Sequence, residues 1–496
     1  MKLLDYLLVI LAVTFNFEIY AWFNISTNGI TTNDLITLAM TIILLKAAIW
    51  DGREFHFAKN PVVQIYFIFM LSTLISGFLP MLSGKGYLIS QYFKTLAHFY
   101  FTSLIIIVLI FYKFNANTWD YFIKAWLLFS IFINIFGVYQ IIARALDLPF
   151  AWIELTSASF YSRTNTPVDD MTQLSLQFEG FFRATSIFSE PSSLGAFNGL
   201  SLSFLIVPRI KGFPNFIRSK ALHNTILVLC IIGLMLAFSM TGVTIVILTF
   251  FTVFLTERLN VFGNILKILP FVIILLYFAD LAVEHYAGIS VIEMFGKRFG
   301  SIANVLAGSS DYGTSIAGES AMERGENFEA MFNIFQSSPL IGIGLGLTYY
   351  SPLSDGWRFS DTSFMGIMAE LGLVGAVPFI ALFLSIYIIS FRITRSKNIV
   401  DKIPMQNLRH LSLIVYILAY LIVVNFISGN NYNNIGTLLF LGYIFSNLNN
   451  YYIDIQKNYY KIRFVRTPLS KLFSKNTAYL KLANKSNKQT LTQNIE

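Results

Sequence analysis

Long apolar runs separated by short polar segments make up most of this chain. A helix needs about 20 mainly apolar residues to cross the hydrocarbon core of a bilayer. About twelve runs approach that length, and each is predicted to be a transmembrane helix. The runs lie near residues 3–23, 34–50, 62–82, 95–113, 121–142, 191–208, 224–239, 241–256, 263–282, 362–390, 410–428 and 435–452.

The composition favours the same conclusion. Hydrophobic residues make up 55% of the 496 positions and charged residues only 12%, whereas about a quarter of an ordinary soluble domain is charged. This excludes a disordered chain, a disulfide-rich secreted scaffold and an ordinary soluble enzyme. Cys230 is the only cysteine and lies inside an apolar run, so we expect a small buried hydrophobe and no intrachain disulfide.

Basic residues determine the predicted orientation. Segment 209–222 carries four Lys or Arg and no acid, and segment 391–409 carries five against one acid. The chain after Tyr452 carries nine against two, which accounts for seven of the net +8 charge. All three fall on one side of a twelve-helix arrangement, so the positive-inside rule places that side and both termini in the cytoplasm. The positive charge therefore predicts orientation, and no nucleic-acid partner is expected.

The sequence thus predicts an all-α polytopic membrane protein with a large outer loop between helices 9 and 10. Because long loops are usually functional or structured, the outer segments are where chemistry is expected. The predicted divisions are an N-terminal five-helix region 1–142, an outer loop 143–190, central helices 191–282, a large outer loop 283–361, C-terminal helices 362–452 and a basic cytoplasmic tail 453–496.

Residues 183–195 combine an arginine with the start of a membrane helix. Ser189 is predicted as the N-cap and Pro191 as part of the first turn. The unpaired N–H groups and the positive dipole end would face the outer surface, which suits a phosphate, and Arg183 adds a forked donor. The alternative is that Arg183 pairs with a local acid such as Glu179 and the proline only begins a helix.

The large outer loop contains a predicted amphipathic helix. Phe328, Met331, Phe332 and Phe335 recur with helical spacing. Arg324 lies four residues before Phe328 and shares that apolar stripe, where a guanidinium needs an anion to meet it. The alternatives are a snorkelling arginine or a pair with an outer-loop carboxylate.

Two further motifs follow that helix. No strand–helix unit surrounds Gly342-Ile-Gly-Leu-Gly346, so it predicts a tight turn and not a dinucleotide site. Asp361 precedes the next long helix, either as its N-cap or as a carboxylate at the mouth of a membrane cleft. Glu370 lies within that helix, where an acid is rare and often functional, or else at the membrane interface.

The order of these motifs resembles the O-antigen polymerase and ligase superfamily. The resemblance rests on Phe332–Gly346, on Asp361-Thr-Ser-Phe-Met and on Glu370-Leu-Gly-Leu-Val-Gly375. Arg183 with Phe188–Gly195 is similar to the segment that precedes a central helix in the polymerase members. Ser239-Met-Thr-Gly242 is similar to the family's Ser-Arg-Gly-type turn but lacks its arginine. Together these motifs cover about a seventh of the chain.

The resemblance implies a metal-independent glycosyltransferase of the bacterial cytoplasmic membrane, with no cofactor. Polymerases of this kind join oligosaccharide repeats carried on undecaprenyl diphosphate into O-antigen of lipopolysaccharide, capsule or another surface polysaccharide. Its expected partners are the undecaprenyl-diphosphate-linked donor and acceptor glycans and the lipid bilayer, with a chain-length regulator protein as a further candidate.

Two alternatives remain open. Ligases transfer the finished glycan to lipid A-core, and they generally place a histidine in the large outer loop near the next helix. Here Asp361-Thr362 stands at that place and His285 lies far upstream, which favours a polymerase. A flippase for lipid-linked oligosaccharide would show paired broken helices and repeat symmetry.

A site hypothesis follows for the departing diphosphate and the attacking sugar hydroxyl. Arginines would stabilise the charge on the diphosphate, a carboxylate would accept or orient the hydroxyl proton, and tryptophans would stack on sugars. The candidates are Arg183, Arg324, Arg358 and Arg298 for the diphosphate, Glu190 and Asp361 for the proton, and Trp152 and Trp357 for the sugars.

Overall fold

The computed structural model describes most of the chain outside the large outer loop and the C-terminal tail. The described residues are 2–17, 19–25, 28–157, 172–173, 177–178, 181–256, 316–354, 363–396, 400–427 and 434–462, with isolated positions between 270 and 300.

Helices form nearly all of the described backbone, as the apolar runs predict. Eight helical segments of the described chain are long and apolar enough to cross a membrane, and two more apolar helices are shorter. This confirms an all-α, multi-pass membrane fold. The helices are α1 Leu3–Thr14, α2 Thr32–Ile49, α3 Pro61–Ile75, α4 Phe78–Leu82, α5 Gly86–Phe111, α6 Ala116–Leu146, α7 Pro191–Ile210, α8 Lys220–Ala237, α9 Met240–Thr256, α10 Ile316–Ser337, α11 Ser363–Arg395, α12 Met405–Phe426 and α13 Ile435–Asp454.

Every predicted run except 263–282 overlaps a described helix, and 263–282 falls largely outside the described residues. The end of the first run, 3–23, was wrong, because the helix stops at Thr14 and a strand begins at Ala21. The break predicted between two short central helices is present, because α8 ends at Phe238 with a left-handed φ of 51°. Helix α6 continues beyond the predicted end at 142 and stops before the left-handed Asp147. Arg144, expected in the outer loop, therefore lies in the last turn of α6.

Three short antiparallel strand pairs, which the apolar runs did not predict, join the loops. Strand β3 pairs with β6, so the chain after α13 is fixed to the loop after α2. The strands are β1 Ala21–Ile25 with β2 Asn28–Thr31, β3 Phe55–Ala58 with β6 Tyr459–Ile462, and β4 Gln177–Phe178 with β5 Phe181–Phe182.

Helices α7 and α12 are the most buried of the candidate spans and form the centre of the bundle. Helix α7 packs against α8 and α9, while α11 packs against α3 and α12. Small residues permit the closest approach: a Cβ on Gly242 of α9 would lie 2.5 Å from the Gly195 carbonyl oxygen of α7. Such small-residue contacts are typical of helix pairs in membranes.

Two ends of the bundle can be distinguished. The basic end carries segments 209–222 and 391–409, which meet where Arg409 donates to the Pro214 carbonyl at 2.7 Å. The Lys113–Asp454 ion pair, 2.5 Å long, lies at this end too. The outer end, at the other end of the helices, carries the described parts of the two outer segments, among them residues 147–157, 181–190 and 338–354.

Helix α11 is broken at Gly372, where φ is 59° and ψ is −157°. A break at membrane depth frees backbone groups that lipid cannot hydrogen-bond. Residues 339–344 fill the gap with their own backbone, so the glycine-rich motif forms the predicted tight turn and also completes α11. The bonds run from Leu373 N to Pro339 O (2.8 Å), Val374 N to Leu340 O (3.0 Å), Ile343 N to Ala369 O (3.1 Å) and Gly344 N to Glu370 O (3.0 Å).

We predict that Gly342→Ala and Gly372→Ala lower the thermal unfolding temperature of the purified protein. Both glycines have positive φ, which costs another residue about 1–3 kcal/mol. The added Cβ atoms would lie 2.2 Å from the Glu370 carbonyl and 2.5 Å from that of Leu340. Gly86→Ala is the control, because its Cβ meets no atom within 4 Å. Equal unfolding temperatures for all three variants would contradict the contact at the α11 break.

The orientation can be tested by labelling, because the single native cysteine, Cys230, is buried. Lys85→Cys and Lys402→Cys place exposed thiols at the outer and basic ends, respectively. A membrane-impermeant maleimide should label position 85 in intact cells. It should label position 402 only after the cells are permeabilised. The reverse pattern would show that the predicted orientation is wrong.

Candidate functional site

The last two turns of α6 hold the segment 183–189 in place. Gln140 accepts the backbone N–H groups of Thr185 and Ser186 on Oε1, at 3.1 and 2.7 Å. Its Nε2 donates to the Ser186 carbonyl at 3.2 Å. One buried amide therefore satisfies three backbone groups of a segment with no regular structure of its own.

Arg144 lies one turn further along the same helix face and continues this contact. Its guanidinium donates to the Arg183 carbonyl, and to the Thr185 hydroxyl at 2.8 Å. Nε donates to the Ala151 carbonyl at 2.9 Å, and the group lies 4.1 Å from the centre of the Trp152 ring. Arg144 therefore ties both ends of the first outer loop to the end of α6.

Gln173 completes the network from the middle of that loop. Its Nε2 donates to the carbonyls of Ser186 and Phe188, both at 2.6 Å. Its Oε1 accepts from Gln140 at 2.7 Å and from Arg144 at 3.2 Å. Ser186 has a left-handed φ of 52°, which an ordinary residue adopts only when its surroundings hold it there.

Segment 183–189 also contacts the end of α8, where Ala184 N donates to the Leu236 carbonyl at 2.9 Å. Helix α7 then begins at Pro191, as predicted, but its N-cap is Glu190 and not Ser189. Proline suits the first helical position because it lacks an N–H group. It also holds the residue before it in extended conformation, and Glu190 accordingly has a φ of −147°.

Arg183 and Glu190 interact electrostatically near this helix start. Burial lowers the pKa of the Arg183 guanidinium, and the nearby carboxylate of Glu190 acts in the opposite direction. An arginine keeps its charge under such a shift, because its ordinary pKa is so high. The Glu190 side chain forms no capping bond to α7. The predicted alternative partner, Glu179, lies outside the described residues.

Trp152 lies at the edge of the same network. The Arg144 guanidinium covers one face of its ring, and its edge meets Phe182 with ring centres 5.1 Å apart. The side chain is still 36% exposed. Stacking of a sugar on Trp152 stays a prediction, and it would have to use the surface that Arg144 leaves open.

The amphipathic helix of the large outer loop is present as α10, but the face it buries differs from the prediction. The buried stripe is Asn327, Ala330, Met331 and Ile334, while Phe328 is 54% exposed and Phe332 38% exposed. Met331 and Ile334 pack against α11. The helical period is as predicted, but aliphatic and small side chains make the helix contact. The rings of Phe328 and Phe332 lie outside the core, as in helices at a membrane interface.

The remaining predicted site residues cannot be placed next to Arg183. Arg324 belongs to α10, but its side chain is outside the described part of the structure. Glu370, the acid noted within a membrane helix, is buried beside the α11 break. The candidates Arg298, Arg358, Trp357 and Asp361 lie outside the described residues.

Residues 225–380 match the sequence model of a family described as O-antigen ligase. The matched domain is that of the O-antigen polymerase and ligase superfamily. The predicted resemblance is therefore confirmed at superfamily level, and the match supports an enzyme of surface-polysaccharide biosynthesis. The matched region contains the glycine-rich turn and the α11 break, whereas Arg183 and Glu190 precede it. No curated protein matches the chain.

The sequence analysis missed the residues that fix the candidate site. Gln140 and Arg144 are spaced i, i+4 near the end of an apolar helix, so they share one face, and that spacing could have identified them. Gln173 lies in an irregular loop, where no periodicity marks it. Among the described residues, no group of three or more His, Cys, Asp or Glu could hold a metal ion.

We predict that Gln140→Ala increases hydrogen exchange at the amides of Thr185 and Ser186 by about tenfold or more. The substitution leaves two buried N–H groups without their acceptor, at about 1–3 kcal/mol each. Mass spectrometry of peptides covering 183–189 measures this. Tyr139→Phe is the control: Tyr139 lies on the same turn of α6 as Gln140, and the substitution removes only its 2.6 Å bond to the Pro149 carbonyl. Unchanged hydrogen exchange in Gln140→Ala would contradict the role of Gln140 in holding segment 183–189.

Proposed function

We propose that this protein polymerises undecaprenyl-diphosphate-linked oligosaccharide repeats at the outer face of the bacterial cytoplasmic membrane. The superfamily supports a role in surface-polysaccharide biosynthesis. The observation that carries the finer proposal is the position of Arg183. This residue lies in a segment whose backbone α6 fixes just before the start of α7, and the Glu190 carboxylate counteracts the effect of burial on the pKa of its guanidinium.

The proposed reaction transfers the growing glycan to a new lipid-linked repeat. A hydroxyl at the non-reducing end of the acceptor attacks the anomeric carbon of the donor, and the bond from that carbon to the diphosphate oxygen breaks. The hydroxyl proton passes to a carboxylate, and undecaprenyl diphosphate leaves with the bonding electrons. The products are a longer lipid-linked glycan and free undecaprenyl diphosphate.

Arg183 and the start of α7 suit the leaving group in this reaction. Negative charge develops on the departing diphosphate, and a fixed guanidinium beside a helix N-terminus stabilises such charge without reorganising. Because Arg144 and Gln140 hold the backbone of this segment, the position of Arg183 is set before substrate binds. Arg324, Arg358 and Arg298 are proposed to supply further positive charge from the large outer loop, in a chemistry that uses no metal.

Glu190 is proposed to accept or orient the proton of the attacking hydroxyl. Its side chain is not used as a helix cap, so it can turn toward a substrate in front of α7. Asp361, which precedes α11 in the sequence, is the second candidate for the same role. Replacement of either carboxylate by its amide would distinguish them through the loss of polymer.

A ligase is the second candidate, because the matched family is described as O-antigen ligase. The acceptor would then be lipid A-core. The polymerase is favoured because Asp361-Thr362 stands where ligases generally have a histidine. A flippase is disfavoured because the α11 break does not leave its backbone groups open to a substrate: residues 339–344 bond them.

Glycan analysis of a deletion strain distinguishes the three activities. Loss of a polymerase should leave single-repeat glycans on the cell surface. Loss of a ligase should leave free lipid-linked polymer, and loss of a flippase should trap the repeats on the inner face. Either of the latter two phenotypes would reject the polymerase proposal.

In the deletion strain we predict that Arg183→Ala reduces long-chain glycan about 10²- to 10³-fold, which is typical for loss of one transition-state donor. Arg183→Lys should retain intermediate activity, because it keeps the charge but loses the fork. Gel electrophoresis of the glycan measures this, with membrane abundance checked by immunoblot. Arg392→Ala, an exposed arginine at the basic end, is the control. Normal long chains with Arg183→Ala would reject the electrostatic role.

A further inference from the structure

A cavity of about 790 Å³ opens at the basic end of the bundle. Its walls come from the first turns of α6, α8 and α12 and from the loop that precedes α8. It is separate from the outer-end site, because Asp120 and Arg144 lie 24 residues apart on α6, or about 36 Å at 1.5 Å per residue. The charged side chains that line it are Lys124, Arg218, Arg409 and Asp120.

The charge of this cavity is positive. Asp120, its one acid, already accepts hydrogen bonds from Arg409, from Gln406 and, at 2.9 Å, from His410 Nε2. Lys124 and Arg218 are exposed, and neither forms an ion pair with a described residue. Two cations therefore remain available to a ligand.

Helix geometry adds to this charge. Helices α6, α8 and α12 all begin at the cavity, and neither α6 nor α12 has a side-chain cap hydrogen bond. Each helix start contributes the positive end of its dipole and backbone N–H groups without intrahelical partners. Three such starts around one space favour an anion there.

The buried part of the wall is held rigidly, although two of its polar atoms have no hydrogen-bond partner among the described residues. Arg409 is 5% exposed, donates to the Pro214 carbonyl at 2.7 Å and stacks 4.2 Å from the Phe216 ring centre. Its Nε, and Oδ1 of Asn215, are buried without a hydrogen-bond partner among the described residues. Arg409 and its partners therefore form a rigid wall behind the exposed cations Lys124 and Arg218.

We propose that this cavity binds the phosphate group of an anionic phospholipid from the leaflet at the basic end. The volume lies in the range of small-molecule sites. Its position between membrane helices matches the basic pockets that hold anionic headgroups. The same chemistry would recognise a soluble phosphate compound, so the experiment must separate the two sources.

The test uses the full-length protein and native mass spectrometry with added phosphatidylglycerol, phosphatidylcholine or inorganic phosphate. Each basic side chain near a membrane surface contributes about 1 kcal/mol to anionic-lipid binding. The double variant Lys124→Gln, Arg218→Gln should therefore bind phosphatidylglycerol about 30-fold more weakly, with phosphatidylcholine unaffected. Both residues are exposed, so folding should be retained. An unchanged unfolding temperature in phosphatidylcholine nanodiscs would confirm this.

The matched control is Arg392→Gln, Lys402→Gln, which removes two exposed charges from the same end outside the cavity. Its affinity for phosphatidylglycerol should equal that of the unmodified protein. A second outcome is that inorganic phosphate displaces the lipid from the unmodified protein but fails to bind the Lys124→Gln, Arg218→Gln variant. That result supports the phosphate site and indicates that its ligand is a soluble compound. If the double variant and the control bind phosphatidylglycerol equally, the proposal is overturned.

Discussion

Backbone hydrogen bonding at membrane depth is the constraint on which the outer half of this protein depends. Lipid offers no partner for an N–H or C=O group, yet α11 is broken at Gly372. The break persists because residues 339–344 supply the missing partners. This exchange fixes the large outer loop to a membrane helix at the point where α10 also packs on α11. The loop that carries most of the candidate arginines is thus anchored by backbone geometry.

The backbone of the segment before α7 also needs hydrogen-bond partners, but here side chains supply them. Segment 183–189 has no helix or strand to pair its backbone, so side chains of α6 and of the first outer loop do so. A glutamine suits this role because its amide both donates and accepts. The network fixes the backbone of Arg183, whose guanidinium interacts electrostatically with Glu190. Rigid placement of a cation before substrate arrives is what electrostatic catalysis requires.

The sequence predicted those features that depend on local pattern. The apolar runs located the helices, and Pro191 located the start of α7, because length and proline geometry act locally. The partners of the α11 break could not be predicted, because they join residues about 30 positions apart by backbone contacts that leave no side-chain pattern. The buried face of α10 was wrong because hydrophobicity alone does not separate an exposed ring, such as that of Phe328, from a methionine buried against protein. Gln173 was missed because an irregular loop has no period.

Arginine serves two different purposes at the two ends of the molecule, and burial distinguishes them. At the basic end most of the charge lies on exposed side chains such as Arg218, Arg392 and Lys402, where position relative to the membrane matters more than any one contact. At the outer end Arg144 is buried, and its N–H groups donate hydrogen bonds to carbonyl, hydroxyl and amide oxygens. Those bonds neutralise none of its charge. Among the described residues no carboxylate forms an ion pair with Arg144, so its buried guanidinium keeps the local potential positive. This adds to the attraction that Arg183 and the start of α7 exert on an anion. Residues 143–190 carry three arginines and six acids. This acidic balance is compatible with a positive centre, because Arg144 and Arg183 belong to the network that holds the loop.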